Sequence, residues 1–89
     1  MGGYDVVISD KALKTLKKMD KRNSAMIISF IKKNLQGAKN PRIKGKALKG
    51  ELGDFWRYRF GDYRILAEID DGEIKIFVID IGHRREVYR

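Results

Sequence analysis

The sequence predicts an α+β domain of order strand, helix, helix, strand, strand, strand, with an N-terminal helical hairpin packed on a largely antiparallel four-stranded sheet. Three observations carry this. Apolar residues recur at helical spacing from Asp10 to about Gln36. Turn signals at Gly61-Asp62 and Asp71-Gly72 divide the last third into segments rich in β-branched and aromatic residues. The β-branched run from Tyr4 to Ile8 makes a short first strand. A chain of 89 residues supports one modest core, so residues 1–89 are read as a single domain.

Each element has a local cause. Ser9 offers an N-cap to a helix whose apolar positions Ala12, Leu13, Leu16 and Met19 share a face, while Lys11, Lys14, Lys17 and Lys18 take the rest. Those lysines are most simply a solvated face, with nucleic-acid or ribosome contact as the other reading. Asp20 to Asn23 reads as a short connection. Met26, Ile27, Phe30, Ile31 and Leu35 then continue the helical spacing, and Gly37 stops it. From Gly37 to Asp54 no period holds, and Gly37, Pro41, Gly45, Gly50 and Gly53 mark a long loop, with a short helical turn expected near Lys46 to Leu48. Its Lys44, Lys46 and Lys49 suit a phosphate backbone.

The three remaining strands are Phe55 to Phe60, Tyr63 to Asp70 and Glu73 to Ile81. A two-residue turn at Gly61-Asp62 pairs Phe60 with Tyr63, Arg59 with Arg64 and Arg57 with Leu66. The same rule at Asp71-Gly72 pairs Glu68 with Lys75, Leu66 with Phe77 and Arg64 with Ile79. The last strand is apolar on both faces, which asks for an interior position beside the third, with the first strand the candidate for its other side.

Composition removes several function classes. Cysteine is absent, so no disulfide framework or thiolate metal site exists, and a reducing cytosol suits the chain. With one histidine and acids expected away from the arginine face, no metal and no small-molecule cofactor are expected. No apolar run reaches the roughly twenty residues of a membrane helix, and the start Met1-Gly2-Gly3-Tyr4 lacks a signal pattern. Gly2 suggests myristoylation, yet Val6 stands where that signal wants Ser or Thr. Twenty Lys and Arg against twelve Asp and Glu give a formal charge of +8, which favours a polyanionic partner. Arg42, Lys44, Lys46 and Lys49 form a run without an acid, whereas Glu68, Asp70, Asp71, Glu73 and Asp80 lie in a stretch that holds one lysine, Lys75. A basic surface kept for solubility is the competing reading.

The candidate chemistry sits on the sheet. Alternation projects Arg57 and Arg59 together, and the hairpin register adds Arg64, so guanidinium groups meet directly across two strands, where like charges destabilise. Either they pair with carboxylates such as Glu68 or Asp62, or a polyanion relieves the repulsion; convergence of three on one face favours the phosphate site. The second register lays this patch on an apolar floor of Phe77 and Ile79. The tail adds His83, Arg84, Arg85, Tyr88 and Arg89. Tyr88 either stacks on an unstacked base or packs on the sheet. His83 is the one side chain with an ordinary pKa near neutrality, which makes it the available base, with a structural or phosphate-binding role as the alternative.

Lys46-Ala47-Leu48-Lys49-Gly50, Trp56-Arg57-Tyr58-Arg59, Gly61-Asp62-Tyr63-Arg64 and Gly82-His83-Arg84-Arg85-Glu86-Val87-Tyr88, in this order of elements, resemble the RelE-type toxins of bacterial type II toxin–antitoxin pairs over nearly the whole chain. The resemblance implies the RelE-like fold. It also implies a ribosome-dependent endoribonuclease that cuts messenger RNA in the decoding site against 16S ribosomal RNA, silenced by an antitoxin wrapped around it. It places Arg57 and Arg59 at the scissile phosphate and matches Arg64 to the arginine after the Gly-x-Tyr turn. Arg84 matches the arginine at the leaving group, Tyr88 the base-stacking tyrosine and Lys49 a basic loop residue; Lys44, Lys46, His83 and Arg85 are the accompanying RNA-binding candidates. Family members carry lysines where this chain has Arg57 and Arg59, and a guanidinium is a poor base. ParE-type relatives share the fold and bind DNA gyrase, and a non-catalytic RNA-binding module is a third reading.

Overall fold

A computed structural model describes residues 3–47 and 55–83. Strand β1 (Asp5–Ile8) leads into helices α1 (Asp10–Lys18) and α2 (Lys21–Asn34), followed by β2 (Gly45–Ala47), β3 (Phe55–Phe60), β4 (Tyr63–Asp70) and β5 (Lys75–His83). The strands form one mixed sheet in the order β1-β5-β4-β3-β2. β1 runs parallel to β5, and every other pair is antiparallel. The sheet therefore has five strands, not the four expected. The added one is Gly45–Ala47, where a helical turn was expected, because these residues pair with Trp56 to Tyr58 along the free edge of β3.

Ser9 caps α1 as anticipated, its Oγ accepting from the Ala12 amide at 3.1 Å. The same hydroxyl donates to the Ile79 carbonyl at 2.7 Å, and the Ser9 amide donates to Val78 at 2.9 Å. The start of α1 is thereby tied to β5. The connection expected over Asp20 to Asn23 is shorter: Asp20 is itself the N-cap, and its carboxylate accepts from the Arg22 and Asn23 amides. Gly37 ends the second helical segment at φ +79°, a left-handed conformation that glycine adopts at no steric cost.

Ala12, Leu16, Ile27, Ile31 and Leu35 bury one helical stripe against Tyr58, Ile65, Ala67, Ile76, Val78 and Ile81 of the sheet. Leu13 and Met26, which share the apolar period, are exposed and line grooves at the helix surface. The edge strand β1 is protected by Gln36, whose side chain accepts from the Val6 amide and donates to Asp5, both at 2.9 Å. Among the described residues no helix is long and apolar enough to cross a membrane.

The first hairpin has the expected register, with Arg59 opposite Arg64 and Arg57 opposite Leu66. Gly61 at φ +58° takes the first central position of its two-residue turn, where a positive φ matches the twist of the strands. The second hairpin does not. Asp70 pairs with Lys75, so the loop holds Asp71 to Ile74, because the Asp70 carboxylate accepts from the Glu73 amide at 3.0 Å and widens the turn. Ile79 is then an extra residue between the pairs Ala67–Val78 and Leu66–Asp80. The outcome moves Gly82 opposite Arg64, Asp80 opposite Leu66 and Phe77 opposite Glu68. The apolar floor of Phe77 and Ile79 beneath Arg64 is thus replaced, and two acids, Glu68 and Asp80, share the arginine face.

Candidate functional site

β2 and β3 build the site. Lys44, Lys46, Arg57 and Arg59, with Ile43 and Gly45, line a concavity of ≈ 180 Å³ on the face of the sheet opposite the helices. Gly45 lets the strands approach: a Cβ there would lie 2.5 Å from the Arg57 carbonyl oxygen and 2.7 Å from the Trp56 indole. Lys46 lies directly across from Arg57, and Arg59 directly across from Arg64. The sheet therefore sets two like-charge pairs side by side, one more than the hairpin register alone implies. Like charges directly opposite one another are unfavourable unless opposite charge intervenes, and an anion is one source of it.

Lys44, Lys46 and Arg59 are exposed, while Arg57 and Arg64 are half-buried. Among the described residues no ion pair engages Lys44, Lys46 or Arg59. The nearby acid Asp80 is already held, its carboxylate 3.3 Å from Lys11 Nζ and accepting from the Ile81 amide. Guanidinium and ammonium groups arranged this way can grip a phosphate from two sides and stabilise added negative charge on it.

His83 does not join them. Its register partner is Tyr63, on the helix-packed face, and the two rings meet edge to face at 5.7 Å. It lines a separate recess with Thr15, Lys18, Met19 and Gly82. Lys49, Arg84, Arg85 and Tyr88 lie outside the described residues.

A second charged cluster borders the cleft and has no signature in the sequence. Arg42 donates through both Nη atoms to both carboxylate oxygens of Asp71, at 3.1 and 2.9 Å, and its guanidinium lies 5.8 Å from the centre of the Trp56 ring. The Tyr4 hydroxyl donates to Asp71 at 2.7 Å. The hydrogen bond from Arg42, followed by that from Tyr4, holds the Asp71 carboxyl below its ordinary range, and the same Asp71 bond raises Tyr4 and Arg42. Next to Arg42, the Pro41 carbonyl accepts from the hydroxyl of Tyr58, a fully buried side chain whose burial pushes its pKa up to about 12. Arg42 stood in the basic run and Asp71 in the acidic one; no local pattern pairs residues 29 positions apart.

Residues 6–88 match the family model described as the ParE toxin of the type II toxin–antitoxin system parDE. The chain is 33% identical over 86 residues to Toxin RelE of Mycobacterium tuberculosis, covering 97% of this chain and 87% of that protein. The toxin–antitoxin complex RelBE2 of M. tuberculosis contains a chain of the same fold, with a TM-score of 0.84 at 30% identity, over 93% of this chain and 100% of that one. The archaeal RelE–RelB complex from Pyrococcus horikoshii gives 0.74 at 26% identity, over 97% and 100%.

Proposed function

Because this chain belongs to the RelE/ParE toxin family of type II toxin–antitoxin systems, and is RelE-like in fold, we propose that it is a ribosome-dependent, metal-independent endoribonuclease that cuts messenger RNA. The 2′-oxygen of the RNA attacks the adjacent phosphorus as its proton passes to solvent, the bond to the 5′-oxygen breaks, and that oxygen takes a proton from solvent, leaving a 2′,3′-cyclic phosphate and a free 5′-hydroxyl. The five-coordinate phosphorus carries an extra negative charge. Arg57, Arg59 and Arg64 stabilise that charge, which is the electrostatic service a metal gives elsewhere. Lys44 and Lys46 hold the neighbouring backbone phosphates, and Lys49, Arg84, Arg85 and Tyr88 are assigned to the same RNA by their motif positions. A guanidinium is a poor base, so the arginines are assigned to charge stabilisation and not to proton transfer. His83, on the other face, is assigned to structure rather than to proton transfer.

The observation that carries this reading is the gathering of Lys44, Lys46, Arg57 and Arg59 around one concavity, with Arg64 directly across from Arg59 in the sheet. Complexes with RelB are seen for relatives, and we infer that a cognate antitoxin likewise silences this chain, acting in the cytoplasm on messenger RNA against 16S ribosomal RNA. Primer extension on translating ribosomes tests the proposal. Cleavage within the decoding site, lost on Arg59→Ala and on 2′-deoxy substitution at the cut, is expected. The match to the ParE model favours a second reading, a gyrase poison; gyrase-dependent DNA breaks without RNA cleavage would establish it and remove the first.

A further inference from the structure

Ile43 to Lys46 form one wall of the cleft, yet β2 is three residues long and lies at the sheet edge, so its own ladder holds it weakly. The residues just upstream of it are tied down. There the Pro41 carbonyl is hydrogen-bonded to Tyr58, which sits on β3 between Arg57 and Arg59. Arg42 is clamped between the Asp71 carboxylate and the Trp56 ring, and Asp71 is in turn held by Tyr4 at the start of β1. These contacts tie the approach to β2 to the β4–β5 loop and to the strand carrying the opposite wall.

We propose that Asp71 and Arg42 form a positioning brace for the lysine wall of the cleft. Resting on the reading of that cleft as an RNA site, the inference adds that Asp71, a carboxylate belonging to neither wall, sets the cleft's affinity for single-stranded RNA by fixing where Lys44 and Lys46 stand. Isolated surface ion pairs contribute little to stability, but this one is bidentate, shared with a tyrosine and stacked on an indole, the geometry in which such pairs gain weight. The competing account makes Arg42 itself an RNA ligand, partly neutralised by Asp71. The two accounts have opposite signs: loss of Asp71 weakens binding in a brace and strengthens it if Arg42 is freed for phosphate.

The test is anisotropy titration of a fluorescein-labelled single-stranded RNA twelve-mer, 2′-deoxy throughout its centre so that it is not consumed, against the wild type, Asp71→Ala and Asp71→Glu. Amide hydrogen exchange at Gly45 to Ala47 is followed in parallel. Asp71→Ala is expected to weaken binding about fivefold and to speed exchange at those amides by a similar factor, with Asp71→Glu restoring both and the thermal midpoint little moved. Unchanged or tighter binding in Asp71→Ala, or unchanged exchange, overturns the brace. Cleavage on ribosomes is scored separately with the wild type. Absent cleavage together with the affinity loss refutes the nuclease reading and keeps the brace, whereas cleavage with neither change does the reverse.

Discussion

Two clusters of positive charge stand side by side on this sheet and are handled in opposite ways. Around Arg42 the charge is satisfied within the molecule: a bidentate carboxylate, a tyrosine hydroxyl behind that carboxylate and an indole face beneath the guanidinium. Around Arg57 and Arg59 charge is set against like charge, with Lys46 and Arg64 directly opposite and the acid Asp80 already engaged by Lys11. The first arrangement makes structure. The second gathers like charge around one concavity, the arrangement that suits an anionic ligand.

The sharpest way to break this contrast is to remove charge from the cleft. Arg57→Ala or Arg59→Ala should lower the single-turnover rate on programmed ribosomes by about a hundredfold or more, the usual cost of losing one stabilising donor at a transition state. The thermal midpoint of Arg59→Ala should stay level or rise, since a cross-strand repulsion of a few tenths of a kcal/mol is relieved. A parallel fall in rate and midpoint would mean that these arginines serve the fold. Next in size, Lys44→Ala and Lys46→Ala should each weaken RNA binding several-fold at low salt and reduce the slope of log K against log salt by about 0.7, as expected for one phosphate contact on a single strand. An unchanged slope would remove that lysine from the site.

The braced region is sharpened by stability rather than activity. Tyr58→Phe deletes the hydroxyl that serves the Pro41 carbonyl and should cost about 1–2 kcal/mol in chemical denaturation. The alkaline limb identifies the same group. The folded-state pKa of Tyr58 is raised to about 12 against an ordinary value near 10, so its contribution is fully present below pH 10 and is lost as pH climbs toward 12. Stability should fall across that window, and Tyr58→Phe should flatten the fall without removing it, because Tyr4 is raised as well. At the acid end Asp71 is lowered, so its contribution is present above the ordinary carboxylate range and disappears as pH drops through and below it. The smallest expected effect is at Ile74, a β-branched residue at φ +58° that is about half exposed. Ile74→Gly should stabilise by about 0.5–1 kcal/mol, read as a higher midpoint; a lower one would mean that its side chain contributes more than its backbone strain costs.

Much of this was legible along the chain. The Ser9 cap, the Ala12 and Leu16 stripe, the Gly37 stop and the Phe60–Tyr63 register each depend on residues within a few positions of one another, where spacing and turn chemistry decide the outcome. Arg57, Arg59 and Arg64 could be placed on one face for the same reason. The misreadings have a common cause. The widened turn at Asp70, the extra residue Ile79, the strand at Gly45–Ala47 and the pairing of Arg42 with Asp71 all depend on partners remote in sequence or on one side chain outbidding a common turn.

By itself, then, the sequence determined the α+β class, the order of six of the seven described elements, the first hairpin and the cationic character of one sheet face, because local periodicity and one two-residue turn suffice for them. Only the tertiary structure decided the fifth strand, the parallel pairing of β1 with β5, the separation of His83 from the arginines and the joining of the lysine wall to the arginine wall. These are products of strand adjacency, and adjacency is settled by which edge remains free to pair and which side chains can be buried together.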